Sequence, residues 1–217
     1  MAIAENLLEI KQSLPEHVTL VAVSKTKPVS ELMEAYNAGQ RIFGENKIQE
    51  MADKFEQMPK DIEWHMIGHV QTNKVKFMAP FVSLIHGVDS LKLLQEIDKQ
   101  AQKNNRVIDC LLQIHIAEEE TKFGLDENEL DDLLHSSDFK NLKNIQVKGL
   151  MGMATFTENQ QQIKKEFLFL KSLFDKSKTI NSNFSILSMG MSGDYELAIE
   201  CGSTMVRIGS SIFGRRI

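Results

Sequence analysis

A (β/α)₈ barrel of the TIM type is the fold class this sequence predicts, with one extra N-terminal helix. Three observations point there. Short apolar runs of strand type alternate with helical stretches about eight times along 217 residues, the rhythm of a parallel sheet with crossover helices. No glycine-, proline- or serine-rich linker divides the chain, and no repeat exceeds the βα unit, so one domain over 1–217 is expected. Hydrophobic residues make up 42% and charged residues 25%, enough apolar material for a large core. Eight such units close naturally into a barrel, although 217 residues is near the short end of that fold's range. An open doubly wound sheet is the competing architecture.

The elements follow in order. Ile3, Leu7, Ile10 and Leu14 fall at helical spacing, which predicts an amphipathic helix that caps the barrel's bottom or packs beside it. Glu5, Glu9 and Lys11 interrupt that stretch, so it is not a signal peptide. Strands are expected at 19–24, 41–45, 63–68, 83–88, 107–116, 144–153, 184–190 and 203–209. Helices are expected at 30–39, 46–58, 90–105, 127–137 and 158–178, with Ser30 and Ser90 as N-caps and Gly39 closing the first.

Composition also excludes function classes. A net charge of −5 gives no electrostatic footprint for nucleic acid or anionic membrane. No apolar stretch approaches the ~20 residues needed to span a bilayer. A cytoplasmic protein is expected, with Cys110 and Cys201 as two reduced thiols. No metal site is expected: His65 and His69 straddle Gly68 at a strand end and do not share a helix face. His86 and His115 fall within strands and read as hydrogen-bonded core or barrel-lining groups.

In a barrel, chemistry collects at the C-terminal ends of the strands. Those ends deliver Lys25; Gly44, Glu45 and Asn46; Gly68 and His69; Met153 to Thr155; Ser188 to Ser192; and Arg207, Gly209 and Ser210. The segments LSMGMSGD (187–194) and VRIGSSIFG (206–214) place Gly190, Ser192, Gly193, Gly209, Ser210 and Ser211 after strands seven and eight. Glycines let backbone N–H groups approach an anion, serines add hydroxyl donors, and barrels frequently bind phosphate at these two loops. Asp194, in the first turn of the next helix, would have to point its charge away from the phosphate. A lysine at a strand end ordinarily snorkels to solvent. Beside a phosphate site, a desolvated Lys25 instead becomes a nucleophilic amine fit for a Schiff base, as in an aldolase or a pyridoxal phosphate protein. Lys27, beyond the strand and before Pro28, reads as solvent-facing. The acidic run at 118–120 reads as a solvated loop, and 164–171 as an ordinary barrel helix.

The blocks VAVSKTKP, FGENKIQE, WHMIGHVQTNK, HGVDS, QIHIAEEETKFG, VKGLMGMAT and LSMGMSGDYELAIECGSTMVRIGSSIFG together resemble the pyridoxal phosphate homeostasis protein family. The resemblance implies a single barrel like the N-terminal domain of alanine racemase. It implies that Lys25 holds pyridoxal 5′-phosphate as a Schiff base and that Ser192, Gly209 and Ser210 hold its phosphate. Arg207 would face the pyridine nitrogen and Asn46 would lie near the cofactor. His69 and Val70 replace the family's usual proline and leucine, Lys47 replaces an aromatic, and the tail stops soon after the FG motif.

A cation opposite the ring nitrogen makes the cofactor a poorer electron sink. Racemases of this fold class also use a tyrosine from a second domain, for which no residues remain, and only Tyr36 and Tyr195 are present. The expected function is therefore a monomeric carrier that buffers pyridoxal phosphate and delivers it to apo-enzymes, with no strong catalytic activity. A weak amino-acid racemase or decarboxylase of fold type III is the alternative.

Overall fold

The computed structural model describes residues 2–119 and 123–214. Glu120 of the acidic run, Thr121 and Lys122 of the ETKFG block, and the tail at 215–217 lie outside the described residues. The first elements in chain order are α1 (Ile3–Ser13), β1 (Thr19–Val23), α2 (Val29–Asn37), β2 (Ile42–Glu45), α3 (Ile48–Gln57) and β3 (Glu63–Met66). A 3₁₀ turn at Thr72–Lys74 leads into α4 (Val75–Met78), followed by β4 (Leu84–Val88), α5 (Leu91–Lys103) and β5 (Ile108–Gln113). Then come α6 (Glu127–His135), α7 (Ser137–Lys140), β6 (Ile145–Met151), α8 (Gln160–Ile180) and β7 (Ile186–Met191). The chain ends with α9 (Tyr195–Glu200), β8 (Met205–Ile208) and α10 (Ser210–Phe213).

All the strands are parallel and close into a barrel in chain order. Closure rests on β1, whose Thr19, Leu20, Val21 and Ala22 pair with Met205, Val206, Arg207 and Ile208 of β8. An open sheet is thereby ruled out. Successive strand residues face opposite sides, and the apolar residues divide accordingly. Val21, Leu84, Leu111, Met151 and Met205 form a small cluster of their own, the fill of the barrel interior. Their strand neighbours Ala22, Ile85, Cys110, Leu112, Leu150 and Val206 join the large cluster between sheet and helices.

The helices form where amphipathic periodicity meets a cap. Ser90 Oγ accepts from Leu93 N at 3.2 Å at the start of α5. Gly39, at φ +93°, ends the α2 turn as a left-handed residue. Ser30 is not a cap: α2 begins one residue earlier, with Pro28 at the N-cap, because proline's fixed φ suits that position. The extra helix packs beside the barrel, against α2 and α10, and Asn6 Nδ2 donates to the Ile212 carbonyl at 3.0 Å. No described helix is long and apolar enough to cross a membrane.

Candidate functional site

Because all eight strands run the same way, their C-terminal ends surround one opening. A cavity of about 1170 Å³ lies there. Lys25 after β1, Asn46 after β2, Ser192 after β7, Arg207 of β8, and Gly209 and Ser210 after β8 all line it. Of the other strand-end residues, Gly68, His69, Met153, Thr155 and Asp194 also line it, whereas Gly44, Glu45 and Ser188 do not.

The loops after β7 and β8 form one unit, since the Gly209 N–H donates to Ser192 Oγ at 3.3 Å. A Cβ at Gly209 would sit 3.0 Å from the Val23 carbonyl oxygen, so the backbone turns there against β1. Ser210 opens α10, whose first N–H groups have no intrahelical carbonyl to reach. Asp194 Oδ1 accepts from the Met191 N–H at 2.6 Å, which turns that oxygen onto the backbone. Hydroxyls and unspent N–H groups make this wall a donor surface for an anion.

Beneath the cavity floor runs a chain of buried polar groups. Arg207 donates to Ser188 Oγ at 2.5 Å and to the Gly152 carbonyl at 3.0 Å. Ser188 Oγ lies 2.9 Å from His86 Nδ1, and His86 Nε2 lies 3.0 Å from His65 Nδ1. Arginine can only donate, which leaves the Ser188 hydroxyl hydrogen for His86. Burial pushes His65 down to about 3 and His86 well below its ordinary value, so both rings are neutral. Burial also lowers Arg207, to about 10, against the opposing pull of Asp194, and it stays a cation at neutral pH. The expectation that His86 is a hydrogen-bonded barrel group holds, whereas His115 lies past the end of β5, with its Nε2 2.8 Å from the Ala117 carbonyl.

Lys25 is half-buried at the end of β1. Thr26 adopts φ +65°, a left-handed conformation that strains a β-branched residue by about 1–3 kcal/mol. Its N–H is held by Glu50 Oε1 at 2.6 Å. Lys54, from α3, donates to the Ser24 carbonyl at 2.8 Å and to Glu45 Oε1 and Glu50 Oε1 at 2.7 Å. Ser24 Oγ donates to Glu45 Oε1 at 2.5 Å. Burial raises the Glu45 carboxyl above its ordinary range, with Lys54 and Ser24 opposing. Lys27 is not solvent-facing: it lines the cavity and its Nζ donates to the Phe213 carbonyl at 2.7 Å. The reading as an exposed lysine fails because α10 brings the Phe213 carbonyl within reach of its amine and Glu31 pairs with it at 3.3 Å.

At the rim, His69 stacks on Phe123 with centroids 4.1 Å apart, and Phe156 is 96% exposed. Val70 is buried and Lys47 exposed. The segment 164–171 is more than an ordinary barrel helix. Its Glu166 is buried and accepts from the Thr155 N–H and hydroxyl, both at 2.7 Å, pinning the loop after β6. Nor is the acidic run merely solvated, since Glu119 Oε1 accepts from the Phe156 N–H at 2.8 Å. Lys54 and Glu166 carry no motif of their own, and Glu50 closes the FGENKIQE block with no role assigned from sequence. Only the folded neighbourhood reveals them.

Cys110 and Cys201 are buried free thiols, and burial raises both. Among the described residues no cluster of three His, Cys, Asp or Glu could hold a metal. Neither tyrosine is among the residues lining the cavity, and Tyr36 donates to Asp61 at 2.8 Å.

Comparison with known proteins places this geometry. The family model of the alanine racemase N-terminal domain matches residues 1–216. A pyridoxal phosphate homeostasis protein of Aquifex aeolicus is 42% identical over 199 residues, covering 91% of this chain and 86% of the relative. The structure of PipY from Synechococcus elongatus with pyridoxal phosphate bound superposes with a TM-score of 0.89 at 33% identity, over 98% of this chain and 100% of that one. An alanine racemase of Clostridium difficile, at 16% identity and a TM-score of 0.80, shares the fold over 99% of this chain and 56% of its own.

Proposed function

The chain belongs to the pyridoxal phosphate homeostasis protein family, built on the alanine racemase N-terminal domain, and on that premise we propose that it binds pyridoxal phosphate at the barrel mouth. One observation carries the reading. A lysine amine, a buried guanidinium and a serine-glycine donor wall converge on a single cavity. The donor set fits the group. The joined loops of Ser192, Gly209 and Ser210 offer hydroxyls and N–H groups to a phosphate. Bound there, pyridoxal phosphate supplies an aldehyde that a primary amine can capture. Lys25 is the amine we assign to that capture, with Asn46 beside it.

Arg207, charged at neutral pH, is assigned to the ring nitrogen, where a cation disfavours protonation. Such an arrangement holds the group without activating it as an electron sink. The chain thus acts as one barrel domain that buffers pyridoxal phosphate in the cytoplasm and delivers it, as a monomer, to apo-enzymes. The test is spectroscopic. Purified protein titrated with pyridoxal phosphate is expected to gain a visible absorption band that Lys25→Ala abolishes, and the loaded chain should restore activity to an apo-enzyme. An unchanged band in Lys25→Ala would refute the site assignment, and racemisation of amino acids at rates ordinary for enzymes would refute the carrier role.

A further inference from the structure

The file of buried polar groups crosses the inside of the barrel. His65 stands on β3, His86 on β4, Ser188 on β7 and Arg207 on β8. Of the four, only Arg207 lines the cavity. The other three are buried behind it.

The hydrogen bonds of the file all point one way. Arginine only donates, so Ser188 Oγ accepts from Arg207 Nη1 at 2.5 Å. The serine hydroxyl has one hydrogen to give, and His86 Nδ1 takes it at 2.9 Å. A neutral imidazole that accepts at Nδ1 carries its proton at Nε2, which then donates to His65 Nδ1 at 3.0 Å. Burial keeps both rings neutral, as that order requires. A protonated His86 would have no lone pair for the serine, and the Ser188 hydroxyl would lose its fixed direction.

The consequence falls on Arg207. Its other terminal nitrogen, Nη2, donates to the Gly152 carbonyl at 3.0 Å, so the guanidinium is held on both arms. Asp194 attracts the same cation from the cavity wall. Unfastened, the arginine would follow that pull and pair with the carboxylate. The file restrains it with neutral groups and so adds no counter-charge of its own. Nor is the file a proton relay, since Arg207 keeps its proton at neutral pH.

We propose that Ser188 and His86 are positioning residues: their directed hydrogen bonds hold the Arg207 guanidinium against the ring nitrogen of bound pyridoxal phosphate and thereby keep that nitrogen unprotonated. The inference rests on the binding reading above and on the place of Arg207 in it.

The test uses full-length protein loaded with pyridoxal phosphate that is isotope-labelled at the ring nitrogen. The nitrogen NMR shift separates a protonated pyridine from an unprotonated one, and a pH titration gives the midpoint. Thermal unfolding of each loaded chain checks the fold. Wild type is expected to hold the ring nitrogen unprotonated at neutral pH. Ser188→Ala removes the acceptor for Arg207 and should raise the midpoint by about one unit, a tenfold change in the ionisation equilibrium. His86→Leu leaves the serine hydroxyl without its acceptor and should raise the midpoint by less. His86→Asn returns an amide oxygen near the place of Nδ1 and should titrate as wild type does. A folded Ser188→Ala chain with a lowered unfolding temperature but the wild-type midpoint overturns the positioning role, because packing alone would give that result. A shift in His86→Asn as large as that in His86→Leu also overturns it. If Ser188→Ala does not fold, the histidine variants decide, and an unmoved midpoint in His86→Leu overturns the role. A protonated ring nitrogen in wild type at neutral pH overturns this inference and the assignment of Arg207, with binding itself intact. A wild-type chain that takes up no labelled pyridoxal phosphate overturns the binding reading as well.

Discussion

Two buried polar clusters flank the same cavity, and they are built on opposite principles. Inside the barrel, Arg207, Ser188, His86 and His65 form a file with one charge and neutral partners. Outside the barrel wall, Ser24, Glu45, Lys54 and Glu50 form a knot of ion pairs. The difference follows from what each must do. The interior file binds its one charge, Arg207, to neutral partners, the Ser188 hydroxyl and the Gly152 carbonyl, while Asp194 attracts it from the cavity wall. The outer knot closes its charges upon themselves and spends its bonds on backbone. One cluster addresses a ligand; the other holds a scaffold.

The largest effect should come from opening the knot. Lys54→Met leaves Glu45, fully buried at the end of β2, without its cation, and losing one partner of a buried ion pair costs about 3–5 kcal/mol. Urea unfolding checks this, and a loss below about 1 kcal/mol would show that the knot is not a scaffold.

Acid should act next, and on the interior file. His65 has its folded pKa depressed from 6.5 to about 3, and His86 is also depressed, so the unfolded chain binds more protons once pH falls below 6.5. The stability held by keeping them neutral is complete above that pH and is lost as pH falls, for His65 by about 1.4 kcal/mol per pH unit down to about 3. Unfolding free energies measured from pH 6.5 to 4.5 should fall more steeply for wild type than for His65→Gln. Equal slopes would contradict the neutral pairing.

The smallest effect sharpens the contrast by burial alone. Lys176 pairs with Glu127 at 3.4 Å, but both side chains are about half exposed. Lys176→Ala should change stability by about 0–1 kcal/mol and less still in high salt.

The barrel and its mouth were legible in the sequence because each strand is an apolar run and parallel strands must deliver their ends to one side. Lys25, Asn46, Ser192, Arg207, Gly209 and Ser210 could be grouped from that rule before any contact was known. The knot could not. Lys54 meets Ser24 across thirty residues and Glu45 across nine, and only the packing of α3 on β2, itself paired with β1, joins them. The short α4, α7 and α10, four residues each, offered no periodicity to read. Pro28 and the strand end read Lys27 as solvent-facing, and the Phe213 carbonyl that it reaches from α10 lies 186 residues away. Glu166 was hidden for a related reason, since its partners lie eleven or more residues away in other loops.

A crystal structure of the chain grown with pyridoxal phosphate tests the central claim most directly. The account predicts density continuous with Lys25 Nζ, a phosphate between Ser192 and Ser210, and Lys27 still bound to the Phe213 carbonyl. Density joined to Lys27, or a phosphate held away from the loops after β7 and β8, would contradict it.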